Sequence, residues 1–233
     1  MKKTLQLMLI NLVILGLIVG MSVVGSKAAT NVAAQAPINY RTCVIIDAGH
    51  GGVDGGAVSC TGVSESHLNL EIAARLNDLL HLLGISTLMI RSDDRSVYTS
   101  GQTIAAKKVS DLKERVRIIN STSNAVLVSI HQNHFTDSNY YGGQVFYAAS
   151  NGSKELASTI QQAFVKHLNP KSSRNIKKAN SIYLLEKINC AGVLVECGFL
   201  SNPVEEAKLR SGKYQLQVCC VISASLSTFL SNT

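Results

Sequence analysis

From residue 42 onward, short apolar runs alternate with segments of helical periodicity. The short runs predict six strands, at 43–46, 85–90, 125–130, 144–149, 182–185 and 192–195. Apolar residues spaced three and four apart predict helices at 68–83, 109–119, 156–168 and 216–229, with a polar loop at 92–108. This alternation is typical of a single α/β domain of three layers, in which helices flank a mostly parallel or mixed central sheet.

One predicted helix also shows which of its faces should be buried. Its apolar stripe consists of Val109, Leu112, Val116 and Ile119. The charged residues of the same segment are expected to lie outside that stripe, in solvent: Lys113, Glu114, Arg115 and Arg117.

The N-terminal residues read as a leader. Lys2 and Lys3 precede an apolar run from 5 to 25, and small residues follow it, as in a secretory signal peptide. The run also approaches the roughly 20 residues that span a bilayer, so an uncleaved membrane anchor is the alternative. Residues 1–28 are thus predicted to be a signal peptide or anchor, 29–40 a linker, and 41–233 an exported domain on the extracytoplasmic side of the membrane.

Composition and charge limit the kinds of partner that the chain is expected to bind. With 46% hydrophobic residues, the chain is not intrinsically disordered. Three of its 22 basic residues lie in the leader, so 19 basic and 15 acidic side chains remain. This mild positive charge suits an acidic wall polymer or a membrane surface, and without an arginine-rich cluster no nucleic-acid partner is expected.

The six cysteines invite a disulfide interpretation, because the domain is predicted to be exported. They form no C-x-x-C pair, and Cys43 and Cys197 lie in or beside apolar runs. Most of them are therefore expected to be buried small apolar side chains.

Three predicted strands each end at a residue that can bind a metal or transfer a proton. The first strand is followed by Asp47 and His50, the third by His131 and the sixth by Glu196. Since the carboxyl ends of strands in an open α/β sheet line one crevice, these side chains are expected to meet there. Glu65 precedes the first predicted helix, where the helix dipole favours a carboxylate, and is a fourth candidate.

Two histidines and two glutamates in one crevice suit a catalytic zinc site. Such sites use three ligands of the His, His, carboxylate kind and leave one position for water, toward which a further carboxylate can act as general base. We therefore predict one zinc ion per chain, held by His50, Glu65 and His131, with Glu196 as the catalytic base. Four neighbouring residues are expected to contact substrate or to orient the ligands: Asp47, Asp54, Asn133 and His134.

Each candidate also has a structural alternative. Glu65 alone can be a helix-start carboxylate, and Glu196 alone a strand-end charge. A glycosidase that used this pair of glutamates would need no metal. The remaining histidines of the predicted helices are expected to be merely solvated: His67, His81 and His167.

Four segments carry a resemblance to a known enzyme family: IIDAGHGGVDGGAV (45–58), SESHLNLEIA (64–73), LVSIHQNHF (127–135) and VLVECGFLSNP (193–203). In order and spacing, over roughly residues 42–231, they resemble the zinc-dependent N-acetylmuramoyl-L-alanine amidases of bacterial cell walls. The resemblance implies the amidase, or phosphorylase/hydrolase-like, fold and cleavage of the lactyl–L-alanine amide of peptidoglycan. It also implies zinc bound by His50, Glu65 and His131, with Glu196 catalytic.

A narrower resemblance concerns biological setting. Residues 98–120, the single domain and the apolar leader look like those of germination-specific, spore-cortex amidases. This implies a part in forming muramic-δ-lactam with a partner deacetylase, in a spore-forming bacterium, and leaves room for an accessory sporulation protein. The alternatives are a vegetative autolysin, another zinc peptidoglycan hydrolase such as a carboxypeptidase or deacetylase, and a wall-binding protein without activity.

Overall fold

Runs of buried apolar residues form the central strands of a six-stranded sheet in the computed structural model, which describes residues 42–232. The strands are β1 (Cys43–Ala48), β2 (Thr87–Met89), β3 (Ala125–Asn133), β4 (Gln144–Tyr147), β5 (Lys177–Lys178) and β6 (Ala191–Phe199). Their order in the sheet is β2-β1-β3-β6-β4-β5. Strands β2, β1, β3 and β6 are parallel, β4 runs antiparallel to β6, and β5 pairs in parallel with β4.

The described residues also contain six helices, which cover both faces of the sheet. They are α1 (Glu65–Leu82), α2 (Ile104–Ser121), α3 (Ser153–His167), α4 (Tyr183–Lys187), α5 (Pro203–Leu209) and α6 (Gly212–Ser231). On one face of the sheet α1 packs against β1, β3 and α6, and α6 packs in turn against α3. On the other face, residues of α2 and α4 join Ile45, Leu127 and Leu194 in one apolar cluster.

Burial on both faces explains why the central strands read as continuous apolar runs rather than as alternating ones. Residues 125–130 of β3 are all buried, and so are residues 44–48 of β1. The predicted three-layer α/β domain with a mostly parallel, mixed sheet is confirmed.

Two predicted element assignments are wrong. The run 182–185 is not a strand, because Tyr183–Lys187 forms helix α4; so short an apolar run has no periodicity that separates the two states. The segment 92–108 is not loop throughout, because α2 already begins at Ile104. Thr103 caps this helix by accepting a hydrogen bond from the Ala106 amide (3.2 Å).

The predicted burial of α2 is also partly wrong. Arg115, expected in solvent, is 2% exposed, whereas Val109 of the predicted apolar stripe is 54% exposed. The reason is a buried carboxylate that the long guanidinium reaches. The helix therefore presents charge, as well as apolar surface, to the sheet.

The prediction that most of the six cysteines are buried is confirmed for only some of them. All six cysteines lie in the described residues and are free; Cys197 and Cys219 are buried, whereas Cys60 and Cys220 are exposed. The predicted signal peptide or anchor (1–28) and the linker (29–40) lie outside the described residues.

Arg115 joins α2 to the end of β1. Its Nη1 donates to the Asp47 carboxylate and to the Ala48 carbonyl (3.0 Å), and its Nη2 donates to the His50 carbonyl (2.7 Å). Asp47 is fully buried and also accepts from Ser129 Oγ (2.6 Å). Burial opposes ionisation of Asp47, but Arg115 and Ser129 outweigh it and hold the pKa of this carboxyl below its usual range.

Removing one partner of this pair should destabilise the fold strongly. Asp47→Ala leaves the buried Arg115 guanidinium with Asp111 (Nε to Oδ2, 2.6 Å) as its remaining carboxylate partner among the described residues, and we expect a loss of about 3 kcal/mol in the free energy of unfolding, measured by urea denaturation. The control is Glu114→Ala, which removes the partner of the exposed Arg117 and should leave the midpoint nearly unchanged. Equal midpoints for the two variants would show that the buried pair is not a major contributor to stability.

Candidate metal centre

Three separate elements bring the predicted ligands to one point. His50 follows β1, Glu65 is the first residue of α1, and His131 lies near the end of β3. The parallel pairing of β1 with β3 places both strand ends at the same edge of the sheet. His50 Nε2 lies 3.2 Å from Glu65 Oε2, and His131 Nδ1 lies 3.0 Å from Glu65 Oε1. One potential ligand atom from each residue lies within 4.8 Å of the other two.

The carboxylate of Glu65 is held from several directions. It is 4% exposed, and its Oε1 accepts from the Gln132 amide (3.1 Å) and from Asn69 Nδ2 (3.2 Å). Its Oε2 accepts from the Ala57 amide (3.0 Å). Burial opposes ionisation, but the imidazoles of His131 and His50 outweigh it and hold the pKa of Glu65 well below its usual range. The carboxylate is therefore charged and fixed in place.

Asp54 fixes the ring of His50. Its Oδ2 lies 3.0 Å from His50 Nδ1, and its Oδ1 pairs with Lys108 Nζ (2.8 Å). A carboxylate on Nδ1 selects the tautomer in which Nε2, the atom that faces Glu65, is free to bind a metal. Burial lowers the pKa of His50, but the Glu65 and Asp54 carboxylates outweigh it and raise the pKa to about 9.

Two glycines make room for the ligands. A Cβ on Gly49 would lie 2.2 Å from His131 Nε2. A Cβ on Gly56, whose φ is +69°, would lie 2.6 Å from Glu65 Oε2 and 2.8 Å from the His50 ring. The glycine-rich loop therefore lets backbone pass directly against all three predicted ligands.

Glu196 lies beside this cluster. It is the register partner of His131 in the parallel β3–β6 pair, so both side chains point to the same face of the sheet. Its Oε2 is buried without a hydrogen-bond partner among the described residues. Burial raises the pKa of Glu196 to about 7, against the opposing effect of the nearby imidazoles. An unpartnered buried carboxylate oxygen costs stability, and next to two imidazoles it indicates a chemical role.

The donor set fits a divalent metal ion. Two imidazoles and one carboxylate are the ligands of a catalytic zinc site, and Glu196 supplies a carboxylate that is not needed as a ligand. A pocket of about 280 Å³ opens onto His50 and His131, and is also lined by Leu112, Tyr183 and Leu194. The centre can therefore be reached by a substrate from the side of α2 and α4.

The four residues that were predicted to contact substrate or to orient the ligands differ in how they relate to the His50–Glu65–His131 cluster. Asp47 hydrogen-bonds to Arg115 and Ser129 rather than to an imidazole. Asn133 is half-buried, and its carbonyl accepts from the Leu200 amide (2.8 Å). His134 is exposed. Of these four side chains, Asp54 is the one that hydrogen-bonds to a predicted ligand within residues 42–232.

The sequence interpretation missed the polar residues that support the site. Asn69 donates to Gly49 O (3.1 Å) as well as to Glu65. Arg91 donates to the carbonyls of Ala48 (2.8 Å) and Gly49 (3.0 Å), so the backbone that leads to His50 is held by buried guanidinium groups. One signal was available: Asn69 lies beside Leu68 in the face of α1 that is buried, where a polar residue needs a partner.

A three-layer α/β domain with two imidazoles at its strand ends and a carboxylate at a neighbouring helix start has the architecture of a metal-dependent hydrolase. Residues 44–228 match the protein family described as N-acetylmuramoyl-L-alanine amidase, and the chain therefore belongs to that family. As a member it is an enzyme, an amide hydrolase, and the resemblance seen in the four sequence segments is confirmed.

Similar proteins agree with this assignment. The chain is 35% identical to the germination-specific N-acetylmuramoyl-L-alanine amidase of Bacillus subtilis (strain 168), over 77% of this chain and 76% of that protein. The structure of the CwlD amidase from Clostridioides difficile in complex with the GerS lipoprotein superposes with a TM-score of 0.79 at 37% identity, covering 82% of this chain and 100% of that one. An N-acetylmuramoyl-L-alanine amidase from Clostridium difficile 630 gives a TM-score of 0.70 at 36% identity, over 81% and 96% of the two chains.

A methyl group at Gly49 should disturb metal binding without disturbing the fold. Gly49→Ala pushes the His131 ring away from Glu65, and we expect zinc affinity to fall about 10- to 100-fold, measured by competition with a chromogenic chelator. The matched control is Gly55→Ala in the same loop, where the added Cβ makes only an ordinary contact with Ser64 Oγ at 3.4 Å. Equal zinc affinity in the two variants would contradict the placement of His131 at the metal.

Proposed function

We propose that this chain uses one zinc ion, held by His50, Glu65 and His131, to hydrolyse the amide between the lactyl group of muramic acid and L-alanine in peptidoglycan. The single observation that carries the proposal is the buried, unpartnered oxygen of Glu196 beside the His50–Glu65–His131 cluster. Membership of the amidase family supports the choice of bond.

Glu196 is proposed as the proton carrier. A zinc ion at this site supplies a Lewis acid that polarises the amide carbonyl and lowers the pKa of water toward about 7. The Glu196 carboxylate takes a proton from the attacking water, whose oxygen forms the new bond to the carbonyl carbon. As the carbon–nitrogen bond breaks, Glu196 returns the proton to the departing amine of L-alanine. Burial raises the pKa of this carboxyl above its usual range, which favours a group that can both accept and release a proton.

Asp54 and the buried arginines have a supporting role in this proposal. Asp54 keeps the proton of His50 on Nδ1, and Arg115 holds the carbonyl of His50 in place. The imidazole and the backbone of His50 are therefore held in one orientation, which lowers the cost of reorganisation at this residue during the reaction.

A mass-resolved digest of purified peptidoglycan tests the reaction. The zinc-loaded chain should release peptides that begin with free L-alanine and leave bare muramic acid, whereas a carboxypeptidase, a deacetylase or a glycosidase would give other products. A chelator should stop release. Glu196→Gln should retain zinc but lose at least about 100-fold in rate, and His131→Ala should lose bound zinc.

Three results would contradict the proposal. Full release by metal-stripped protein would exclude a metal-dependent reaction, and full zinc content in His131→Ala would exclude that ligand. Sacculus binding without any release would favour a wall-binding protein.

The proposed setting is the spore cortex, where the reaction precedes muramic-δ-lactam formation. The similarity to the germination-specific amidase and to the CwlD amidase supports this setting over vegetative autolysis. That CwlD is found in complex with the GerS lipoprotein supports an accessory protein for this chain too. The leader at residues 1–28 is proposed to export the domain, either cleaved or as an anchor, with 29–40 as linker before the catalytic domain at 41–233.

A deletion strain tests setting and leader together. Spores that lack the chain should contain no muramic-δ-lactam by mass analysis of the cortex, and they should germinate poorly. The complete chain should restore the lactam, and a chain without residues 1–28 should not, because it stays in the cytoplasm. Normal lactam in the deletion strain would favour a vegetative role instead.

A further inference from the structure

A second and larger groove lies on the other side of Glu196 from the pocket that opens onto His50 and His131. Its volume is about 600 Å³, and it runs between the loop before β4 and the loop before β5. Tyr140, Gln144, Arg174 and Lys177 line it, together with one acidic residue, Asp137. The groove has a mixed polar and apolar lining, and its charged residues are two cations and one carboxylate, which gives a net positive charge.

Arg174 is one of the two cations that line this groove. Its guanidinium lies over the ring of Phe199, 4.6 Å from the centroid, and 5.8 Å from the centroid of Tyr140. Its Nε donates to the Tyr141 carbonyl (2.8 Å) and its Nη1 donates to Gln144 Oε1 (3.3 Å). The side chain is half-buried and is held at a fixed orientation by these contacts.

Much of the hydrogen-bonding capacity of Arg174 is unused. A guanidinium has five N–H donors, and the two bonds to Tyr141 and Gln144 are the ones that Arg174 makes within residues 42–232. The carboxylates of this region have other partners: Glu205 accepts from the Gly142 and Phe199 amides, and Asp137 accepts from Asn139. Arg174 also acts electrostatically on Glu205, whose pKa it lowers against the larger effect of burial, but no carboxylate of residues 42–232 forms an ion pair with it. A half-buried guanidinium with free donors and no ion-pair partner in the described structure is suited to bind an anionic group of a ligand.

The groove is continuous with the catalytic residues along the sheet. Gln144 on β4 is the register partner of Glu196 on β6, and Glu196 is the register partner of His131 on β3. Adjacent strands lie about 4.8 Å apart, so these three side chains form a row across one face of the sheet. Arg174, bonded to Gln144, therefore lies at the end of the row that begins at the metal centre.

We infer that this groove binds the peptide stem of the substrate and that Arg174 binds a free carboxylate of that stem, close to the bond that is cut. The inference rests on the proposed function, since the amide must lie between the metal centre and Glu196 for the peptide to extend over Gln144. Stem peptides carry free carboxylates, and a fixed planar guanidinium binds a carboxylate through two parallel hydrogen bonds. Arg174 is thus a specificity residue rather than a proton carrier.

The experiment compares two soluble glycan fragments whose stem peptides differ at one group. In one, the acidic residue after L-alanine has a free α-carboxylate, and in the other this group is an amide. We expect the wild-type enzyme to show a KM at least about tenfold lower for the carboxylate form, with kcat changed less than about twofold. Arg174→Gln should lose this preference. Arg174→Lys keeps the positive charge but not the two parallel N–H donors of the guanidinium, and it should keep part of the preference.

Matched controls separate this role from a structural one. Arg117→Gln makes the same substitution on the exposed side of α2 and should keep the full preference. Thermal unfolding of each variant shows whether the fold is retained. Calorimetric binding of the two fragments to Glu196→Gln, which does not turn them over, gives the preference as a ratio of Kd values independent of catalysis.

The possible results distinguish a failure of the groove assignment from a failure of the proposed amidase function. Cleavage of both fragments with equal KM, or an unchanged preference in folded Arg174→Gln, would overturn the groove assignment and leave the amidase proposal intact. No release of L-alanine peptides from either fragment by the zinc-loaded wild-type enzyme would overturn the proposed function, and the groove assignment with it.

Discussion

The carboxylate of Glu65, placed between two imidazoles in a buried position, is the interaction on which the site depends. Its oxygens accept from three backbone or amide donors and face His50 and His131 on either side. A buried carboxylate is unfavourable unless positive charge or donors surround it. The position therefore favours positive charge beside it, and the same geometry that satisfies Glu65 brings together three side chains that fit a divalent metal ion.

That interaction requires the loop after β1 to be rigid. Two buried arginines from different parts of the chain, Arg91 and Arg115, donate to the carbonyls of residues 48–50. His50 itself has φ +61°, an uncommon conformation for a residue with a side chain. The arginines and the Asp47 carboxylate hold this backbone in place, and so couple the fold of β1 and α2 to the orientation of one predicted ligand, His50. Stability and chemistry share these residues, which is why the region is rich in buried charge.

The sequence predicts the fold class and the central site because both follow from simple rules. Apolar runs define β1, β3 and β6, and parallel strands present their ends at one edge, so the amino-acid pattern alone is enough to bring His50, His131 and Glu196 together. The amino-acid pattern does not predict contacts that depend on how far a long side chain extends from its own element. Arg115 has the spacing of a solvated residue but extends to Asp47, and the 182–185 run is too short to show whether it is strand or helix. The role of Arg174 escapes sequence patterns for the same reason, since it depends on a loop folding over Phe199 and Gln144.

Diffraction at the zinc absorption edge, from crystals of the chain grown with zinc, shows whether His50, Glu65 and His131 bind one metal ion. We expect one strong anomalous peak per chain, bonded at about 2.0–2.2 Å to one nitrogen of His50, one nitrogen of His131 and the carboxylate of Glu65, with Glu196 outside bonding distance. A peak elsewhere, or a zinc ion bound by Glu196 with Glu65 turned away, would contradict it.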